Sequence, residues 1–473
     1  MNKVHILPSC FTFLSTIRTY CTKNNLKRTN FRKPRTINVS NAVWNAQQIS
    51  IIEAVERGES VFITGSAGTG KTILIRHLIK LLLKIYDRKS VFVTASTGVA
   101  ACAVRGQTLQ SFAGVGLADA DAETLFSRVL GNRRAFNRWK QAKALVIDEI
   151  SMVDKTLFEK YEYIARKVRC EGGECDEPWG GLQVVVSGDF FQLPPVDTKR
   201  NGVEFAFEAD CWENTFQLQV SLETVFRQSE SEHVRLLEGV RRGEIDSEGL
   251  ALLEDCCSEE EPDETVVRLF PKLKDVDRVN KSRLSALKEK IIVYKAFDQT
   301  VNDHGKNQLK HVIAPENLDL CKGARVMLIR NLNVKQNLVN GSTGTVIGFQ
   351  KSRTRDIVKI CGHDGDKLLP IVEFDSGWKE VVKPDEWEVA DGGKVIAKRL
   401  QLPLMLAWAT SIHKSQGMTL DRLHTDLSEA FGCGMVYVAL SRVKSLDGLS
   451  LSGFDPSKIK AHPKVLEYYK KCF

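Results

Sequence analysis

No acidic side chain occurs before Glu53 in this 473-residue chain, although eight basic ones do: Lys3, Arg18, Lys23, Lys27, Arg28, Arg32, Lys33 and Arg35. Those eight account for the whole formal charge of +8, because the chain holds 67 Lys and Arg against 59 Asp and Glu. The rest is formally neutral, which excludes a global positive field; a nucleic acid would have to be met by local grooves. No run approaches the roughly 18 to 20 unbroken apolar residues of a membrane-spanning helix, and no membrane partner is expected. The 12 cysteines show no paired C-x-x-C spacing. Cys170 with Cys175, and Cys256 with Cys257, lack the second half of a zinc site, so free thiols and no cysteine-bound metal are expected. Internal repeats and long low-complexity segments are lacking too. With 43% hydrophobic and 27% charged residues, what remains is an ordinary globular composition, long enough for two or more domains.

The acidic-free segment itself reads as an address. Residues 1–37 are rich in Arg, Lys, Ser and Thr and start with Ile6, Leu7, Phe11, Phe13, Leu14 and Ile17, the composition of a mitochondrial presequence. "RTYCT" at 18–22 resembles a matrix-processing site cut after Tyr20. The expected location is the mitochondrial matrix. "KRTNFRKPR" at 27–35 keeps the nucleus open as an alternative or additional address.

"SVFITGSAGTGKTILIRHLIKLLLKIY" at 60–86 carries the first chemistry. Val61 to Thr64 read as a buried strand, and the apolar pattern from Ile73 onward reads as a helix. Between them Gly65, Ser66, Ala67, Gly68, Thr69, Gly70, Lys71 and Thr72 match G-x4-G-K-[ST]. The glycines let backbone N–H groups wrap a triphosphate at a helix N-terminus. Lys71 adds a point charge at the β- and γ-phosphates, and Thr72 offers a hydroxyl to Mg²⁺. "ALVIDEISMVD" at 144–154 supplies the matching carboxylates after a second apolar strand. Asp148 would hold Mg²⁺ through water, and Glu149 would act as general base on the attacking water. Nucleotide hydrolysis on a parallel α/β sheet follows; GTPase, clamp loader, kinase and helicase remain open at this point.

"VVVSGDFFQLPPV" at 184–196 runs from a buried strand into a polar tip that Pro194 and Pro195 terminate. A loop that is merely polar would explain the stretch alone. Beside a phosphate site, Gln192 at that tip can reach the γ-phosphate or the lytic water and report nucleotide state to a bound partner.

These segments, with "TASTGVAA" (94–101), "IDEISM" (147–152), "VFRQ" (225–228), "SIHKSQGMTL" (411–420) and "YVALSRVKSLDGL" (437–449), fall in the order of superfamily-one helicases. "EISMVDKTLFEKYEYIARKVR" at 149–169, an amphipathic helix by its Leu157, Tyr161, Ile164 and Val168 spacing, is the most specific sign. From about residue 38 to 473 the chain resembles the petite-integration-frequency (Pif) family of DNA helicases, superfamily 1B. The resemblance implies ATP as the nucleotide, read through Gln48, whose amide can pair with both edges of adenine. It implies that Arg227 and Arg442 approach the γ-phosphate from a second motor domain, where planar charged forks suit phosphoryl transfer. It places Ser96, Thr97, Gly98, Thr108, Phe112, His413 and Lys414 on single-stranded DNA, a track that mixes phosphate contacts with base stacking. Two departures lie on that side: Gln110 where the family usually has His, and Met418 where it often has Gln.

The expected fold class is α/β: two RecA-like phosphate-loop motor domains with parallel sheets, spanning 38–225 and 226–473. The first contains a wedge insertion at about 107–140, with Arg and aromatics interleaved in "FSRVLGNRRAFNRWK" (126–140). An ordinary amphipathic helix with a solvated basic face reads equally well there. The second carries an SH3-like β-barrel insertion at about 341–402, where short alternating strands meet turn signals. A helix is expected at Met435 to Val443. The resemblance further implies 5′-to-3′ translocation, action on DNA forks and junctions, G-quadruplexes and RNA–DNA hybrids, and a monomer in the absence of DNA. The rivals are a RecD-like subunit of a nuclease complex, and a translocase that strips proteins from single strands without unwinding. No nuclease constellation is seen to favour the first.

Overall fold

The computed structural model describes residues 44–473 except 105, 117, 171–175, 196–201, 227–229, 259–261, 264–265, 302–305, 307–308, 310–311, 331, 334–335, 337, 339–340, 353–354, 362–366, 392–393 and 421. The segment expected to be a presequence, the nuclear-signal alternative and Arg227 lie outside the described residues.

Strands β1 (Val61–Gly65), β2 (Val91–Ala95), β3 (Gln107–Thr108), β4 (Ala144–Asp148), β5 (Gln183–Ser187) and β6 (Leu218–Leu222) form one sheet in the order β3-β2-β4-β5-β1-β6. All its pairs are parallel. The central strands β1, β4 and β5 are buried at every position, which is why they read as unbroken apolar runs: helices cover both faces. In chain order those helices are α1 (Ala46–Glu56), α2 (Lys71–Ile85), α3 (Gly98–Ala103), α4 (Leu109–Ala113), α5 (Ala122–Leu130), α6 (Arg133–Gln141) and α7 (Lys155–Arg169). Ile51, Leu74 and Leu78 pack α1 and α2 on Ile63 and Val146. Phe112, Trp139, Phe158 and Tyr161 cover the opposite face. Starts are set by side chains. Asp121, Asn132 and Asp154 each accept a backbone N–H at the head of α5, α6 and α7, and Asn45 and Gln48 close a reciprocal box at α1. On α7 the buried stripe is Phe158, Tyr161, Ile164, Ala165 and Val168, while Leu157 is only half-buried.

The second half opens with β7 (Val267–Phe270). Ten strands then run mostly antiparallel: β8 (Ile292–Lys295), β9 (Phe297–Thr300), β10 (Asn317–Leu320), β11 (Arg325–Leu328), β12 (Thr343–Lys351), β13 (Leu368–Phe374), β14 (Lys379–Val381), β15 (Asp385–Asp391), β16 (Lys394–Gln401) and β17 (Leu404–Leu406). They build sheets ordered β14-β13-β12-β11-β17, β15-β16-β9 and β10-β8 around their own core of Tyr294, Leu320, Val326, Val346, Val372 and Leu402. Strands β18 (Ala409–Ser411), β19 (Leu423–Asp426) and β20 (Leu449–Gly453) rejoin β7 in a parallel sheet ordered β18-β7-β19-β20. The α/β class with two parallel sheets is therefore as expected. The antiparallel insertion starts earlier than about 341, at β8, because β8 and β10 are short alternating strands that gain a buried side only by pairing with each other.

The two halves share one apolar core. Helix Pro463–Cys472, at the far end of the second half in sequence, packs on the first: Tyr468 meets Phe207 and Phe190, and Tyr469 meets Phe191. Helix Met435–Leu440 stops short of the expected Val443. Cys211, Cys256, Cys257, Cys321, Cys433 and Cys472 are free thiols, but Cys170 is disulfide-bonded. That corrects the expectation of free thiols throughout; sequence spacing does not show whether two sulfurs can approach. No described helix is long and apolar enough to cross a membrane.

Candidate active site

At the end of β1 the chain turns through Gly65 (φ 142°) and Gly70 (φ 83°) into α2. A Cβ on Gly65 would sit 2.6 Å from the Leu222 carbonyl oxygen of β6, so only glycine lets the loop leave the sheet here. The loop ties itself together: Thr69 Oγ1 donates to the Ser66 carbonyl at 2.9 Å. Lys71 Nζ donates to the carbonyls of Gly65 and Ser66 at 2.6 and 2.9 Å. Phe226 N–H donates to the Gly68 carbonyl at 2.8 Å. Ala67 is buried and Thr72 exposed. Thr72 lines a cleft of 1330 Å³ together with Asp148, Glu149 and Gln416.

Asp148 ends β4 and is buried. Ser187 Oγ of β5 and the Glu149 N–H donate to its carboxylate. Burial pushes the Asp148 carboxyl above its ordinary range, opposed by those donors and by Lys71. Glu149 follows in the left-handed region (φ 54°). Burial first, and the adjacent Asp148 second, push its carboxyl up to about 7. A carboxyl poised there suits proton abstraction near neutral pH.

Gln192 is buried and its Oε1 accepts from Gln416 Nε2 at 3.3 Å; the same amide donates to Glu149 Oε2 at 3.2 Å. Gln416 of the second half thus bridges two of the expected catalytic groups of the first. It lies inside the quoted "SIHKSQG", three residues after His413, and as the one amide in that stretch it was the available signal. Arg442 is 2% exposed and donates to the carbonyls of Val438, Ser415 and Met418. Its charge favours ionised Glu149, but its hydrogen bonds to carbonyls stay within its own half. Gln48 Oε1 accepts the Asn45 N–H at 3.1 Å, and its Nε2 lies 3.8 Å from the position of a Cβ on Gly70. The ring of Phe226 lies 3.6 Å from the same point and is 58% exposed. An amide and an open aromatic face therefore flank the phosphate loop; Phe226 was overlooked because a lone Phe beside an Arg carries no periodic signal.

Ser96 Oγ donates to the Glu149 carbonyl at 2.6 Å, and Ser96 N–H donates to the Asp148 carbonyl at 3.1 Å. Thr97 accepts the Ala100 N–H, Gly98 is exposed, and Thr108 accepts the Ser111 N–H at the head of α4. His413 is exposed and Lys414 half-buried. Ser96 and the turn from His413 to Gln416 thus reach the acidic pair from opposite halves. Phe112 is a correction. It is 0% exposed, its ring 4.7 Å from Trp139 and 4.9 Å from Phe92, so it is a core residue with no face for a base. In the wedge region Arg138 donates inward to the Phe112 and Ser111 carbonyls, while Arg133, Arg134 and Lys140 are exposed.

A family model described as PIF1-like helicase matches residues 43–247, and one for the DNA helicase Pif1 2B domain matches 306–349. The ATP-dependent DNA helicase PIF1 of Emericella nidulans is 38% identical over 473 aligned residues, covering 90% of this chain and 63% of that protein. The chain thus spans less than two thirds of that relative. The crystal structure of Pif1 helicase from Candida albicans superposes with a TM-score of 0.80 at 38% identity, covering 91% of this chain and 100% of that one. Pif1 helicase from Bacteroides in complex with ADP-AlF3 and ssDNA gives a TM-score of 0.66 at 27% identity, covering 91% and 97%.

Proposed function

The chain belongs to the PIF1-like helicase family, and from that premise we propose that it is an ATP-dependent DNA helicase working 5′ to 3′ on single strands. The observation that carries the reading is convergence. Thr72 of the phosphate loop and the acidic pair of one half share a cleft with Gln416 of the other, Gln416 also holds Gln192, and the charge of Arg442 favours ionised Glu149. The loop amides and Lys71 receive the triphosphate, and Gln48 and Phe226 flank the adenine. Thr72 hydroxyl and Asp148 carboxylate are hard oxygen donors on one cleft, a fit for Mg²⁺, which when bound neutralises phosphate charge. Glu149 removes the proton of the attacking water, and Gln192 orients that water or the γ-phosphate. Arg442 leaves its carbonyls for the transition-state charge as the halves close, and Arg227 joins it. ATP drives stepping because the closed state binds it better than the open one.

On the DNA side Ser96, Thr97, Gly98, Thr108, His413 and Lys414 hold the strand backbone from both halves. Forks, G-quadruplexes and RNA–DNA hybrids are the proposed substrates, acted on by a protein that is monomeric without DNA. The Bacteroides relative solved with both a nucleotide analogue and single-stranded DNA supports this division of labour. The basic segment 1–37 supports import into the mitochondrial matrix. The test is ATP hydrolysis with and without single-stranded DNA, wild type beside Lys71→Ala. DNA-stimulated turnover that vanishes in the variant is expected; turnover retained by Lys71→Ala would mean the site is misplaced.

A further inference from the structure

Asp189 follows β5 three residues before Gln192 and is 0% exposed, yet most of the groups that hold its carboxylate come from the other half of the chain. Arg241 clamps it through two bonds, Nη2 to Oδ1 at 2.9 Å and Nε to Oδ2 at 3.2 Å, and is itself 5% exposed. Tyr437 hydroxyl donates to Oδ2 at 3.2 Å. Among the described hydrogen bonds only the Phe191 N–H, at 3.2 Å, comes from its own loop. The Arg241 guanidinium is wedged over Phe191, 4.3 Å from its ring centre, and beside Tyr469. Tyr437 has a second contact: its oxygen accepts the N–H of Ala67, in the phosphate loop, at 2.7 Å. One buried hydroxyl therefore touches the phosphate loop and the root of the Gln192 loop together.

The same helix carries Arg442 just past its end. Gly434, at the helix start, is pressed so close that a Cβ there would lie 2.4 Å from the Phe191 carbonyl oxygen and 2.5 Å from that of Gln192. Helix Met435–Leu440 is thus seated on the glutamine loop by backbone contact and pinned to the phosphate loop by one side chain. A packing role alone would be met by phenylalanine. The hydroxyl adds a hydrogen-bonded chain from the Ala67 N–H through Tyr437 to Asp189 and Arg241, and such buried chains hold geometry because every broken link leaves an unpaired polar group.

We infer that Tyr437 is a positioning residue for hydrolysis: its hydroxyl, oriented by the Asp189–Arg241 pair, sets the phosphate loop, the Gln192 loop and the Arg442-bearing helix in one register. This rests on the ATP-hydrolysis reading above. It assigns to the aromatic residue five positions before Arg442 a role in turnover, acting through Gln192 and not on the nucleotide itself.

The experiment is a double-mutant cycle on DNA-stimulated ATP hydrolysis with wild type, Tyr437→Phe, Gln192→Ala and the double variant, each also measured for binding of a fluorescent ADP analogue and for thermal unfolding. Tyr437→Phe is expected to lower kcat about tenfold, to change ADP-analogue affinity less than threefold, and to unfold within a few degrees of wild type. The double variant should be no more than twofold slower than Gln192→Ala, because both act on one geometry. Three results overturn the inference alone while leaving the ATPase reading intact: an unchanged kcat in Tyr437→Phe, a kcat loss that multiplies with that of Gln192→Ala, or a loss that appears only where the variant unfolds. A wild-type chain that does not hydrolyse ATP overturns both.

Discussion

Replacing Arg241 by Met removes the charge from a buried ion pair while keeping most of the side-chain volume. Asp189, 0% exposed, would keep the Tyr437 hydroxyl and the Phe191 N–H but lose both guanidinium bonds. Water cannot replace them without opening the core between Phe191 and Tyr469. Breaking a buried pair from one side leaves an uncompensated charge and costs about 3 to 5 kcal/mol. Glu238, the other partner of Arg241, is 37% exposed and is simply re-solvated, so it adds little. Equilibrium urea unfolding followed by tryptophan fluorescence reads the loss as a fall in midpoint of about 1 M or more, at a slope of about 3 kcal/mol per M. Adding Asp189→Asn should recover at least half of the loss, since the neutral amide removes the uncompensated charge, keeps the Phe191 N–H on its one oxygen and can donate its NH2 to the Tyr437 oxygen in place of the second acceptor. A single variant within about 1 kcal/mol of wild type, or a double variant less stable than the single one, would refute the claim that the pair is desolvated and joins the two halves.

Phe112→Ala should cost about 3 to 5 kcal/mol, as for other buried aromatics, while single-stranded DNA affinity, measured by fluorescence anisotropy where the variant is folded, stays within about twofold. A tenfold affinity loss with normal stability would put Phe112 back on the DNA track. Glu149 has a carboxyl raised from 4.5 to about 7, so the folded state binds its proton more tightly than the unfolded state does. Its ionisation therefore opposes folding above pH 7 and does not below 4.5. Glu149→Gln should gain about 1 to 3 kcal/mol over wild type at pH 8 and close to nothing at pH 4.5, while losing turnover; an equal gain at both pH values would sink this account of its environment.

Some of this was legible in the sequence because its physics is local. A strand, a glycine-rich turn and a helix start lie within twelve residues, so the conformations of Gly65 and Gly70 and the placing of Lys71 follow from the motif. Asp148 and Glu149 end a five-residue apolar strand and could be placed the same way. The contacts between the halves were not legible. Gln416 meets Glu149 across 267 positions and Tyr437 meets Asp189 across 248, distances over which no periodicity carries information. Phe112 misled for the same reason: Trp139, which buries it, stands 27 positions away. Strands β8 and β10 were missed because each is four residues long and becomes amphipathic only once paired.

The central claim is that the cleft drives directional strand separation. ATP-dependent unwinding of two matched duplexes, one with a 5′ single-stranded tail and one with a 3′ tail, tests it most directly. Opening of the 5′-tailed duplex alone, abolished by Lys71→Ala, is the predicted result. Opening of the 3′-tailed duplex alone would contradict the assigned direction, and opening of neither while single-stranded DNA still stimulates hydrolysis would leave a translocase in place of a helicase.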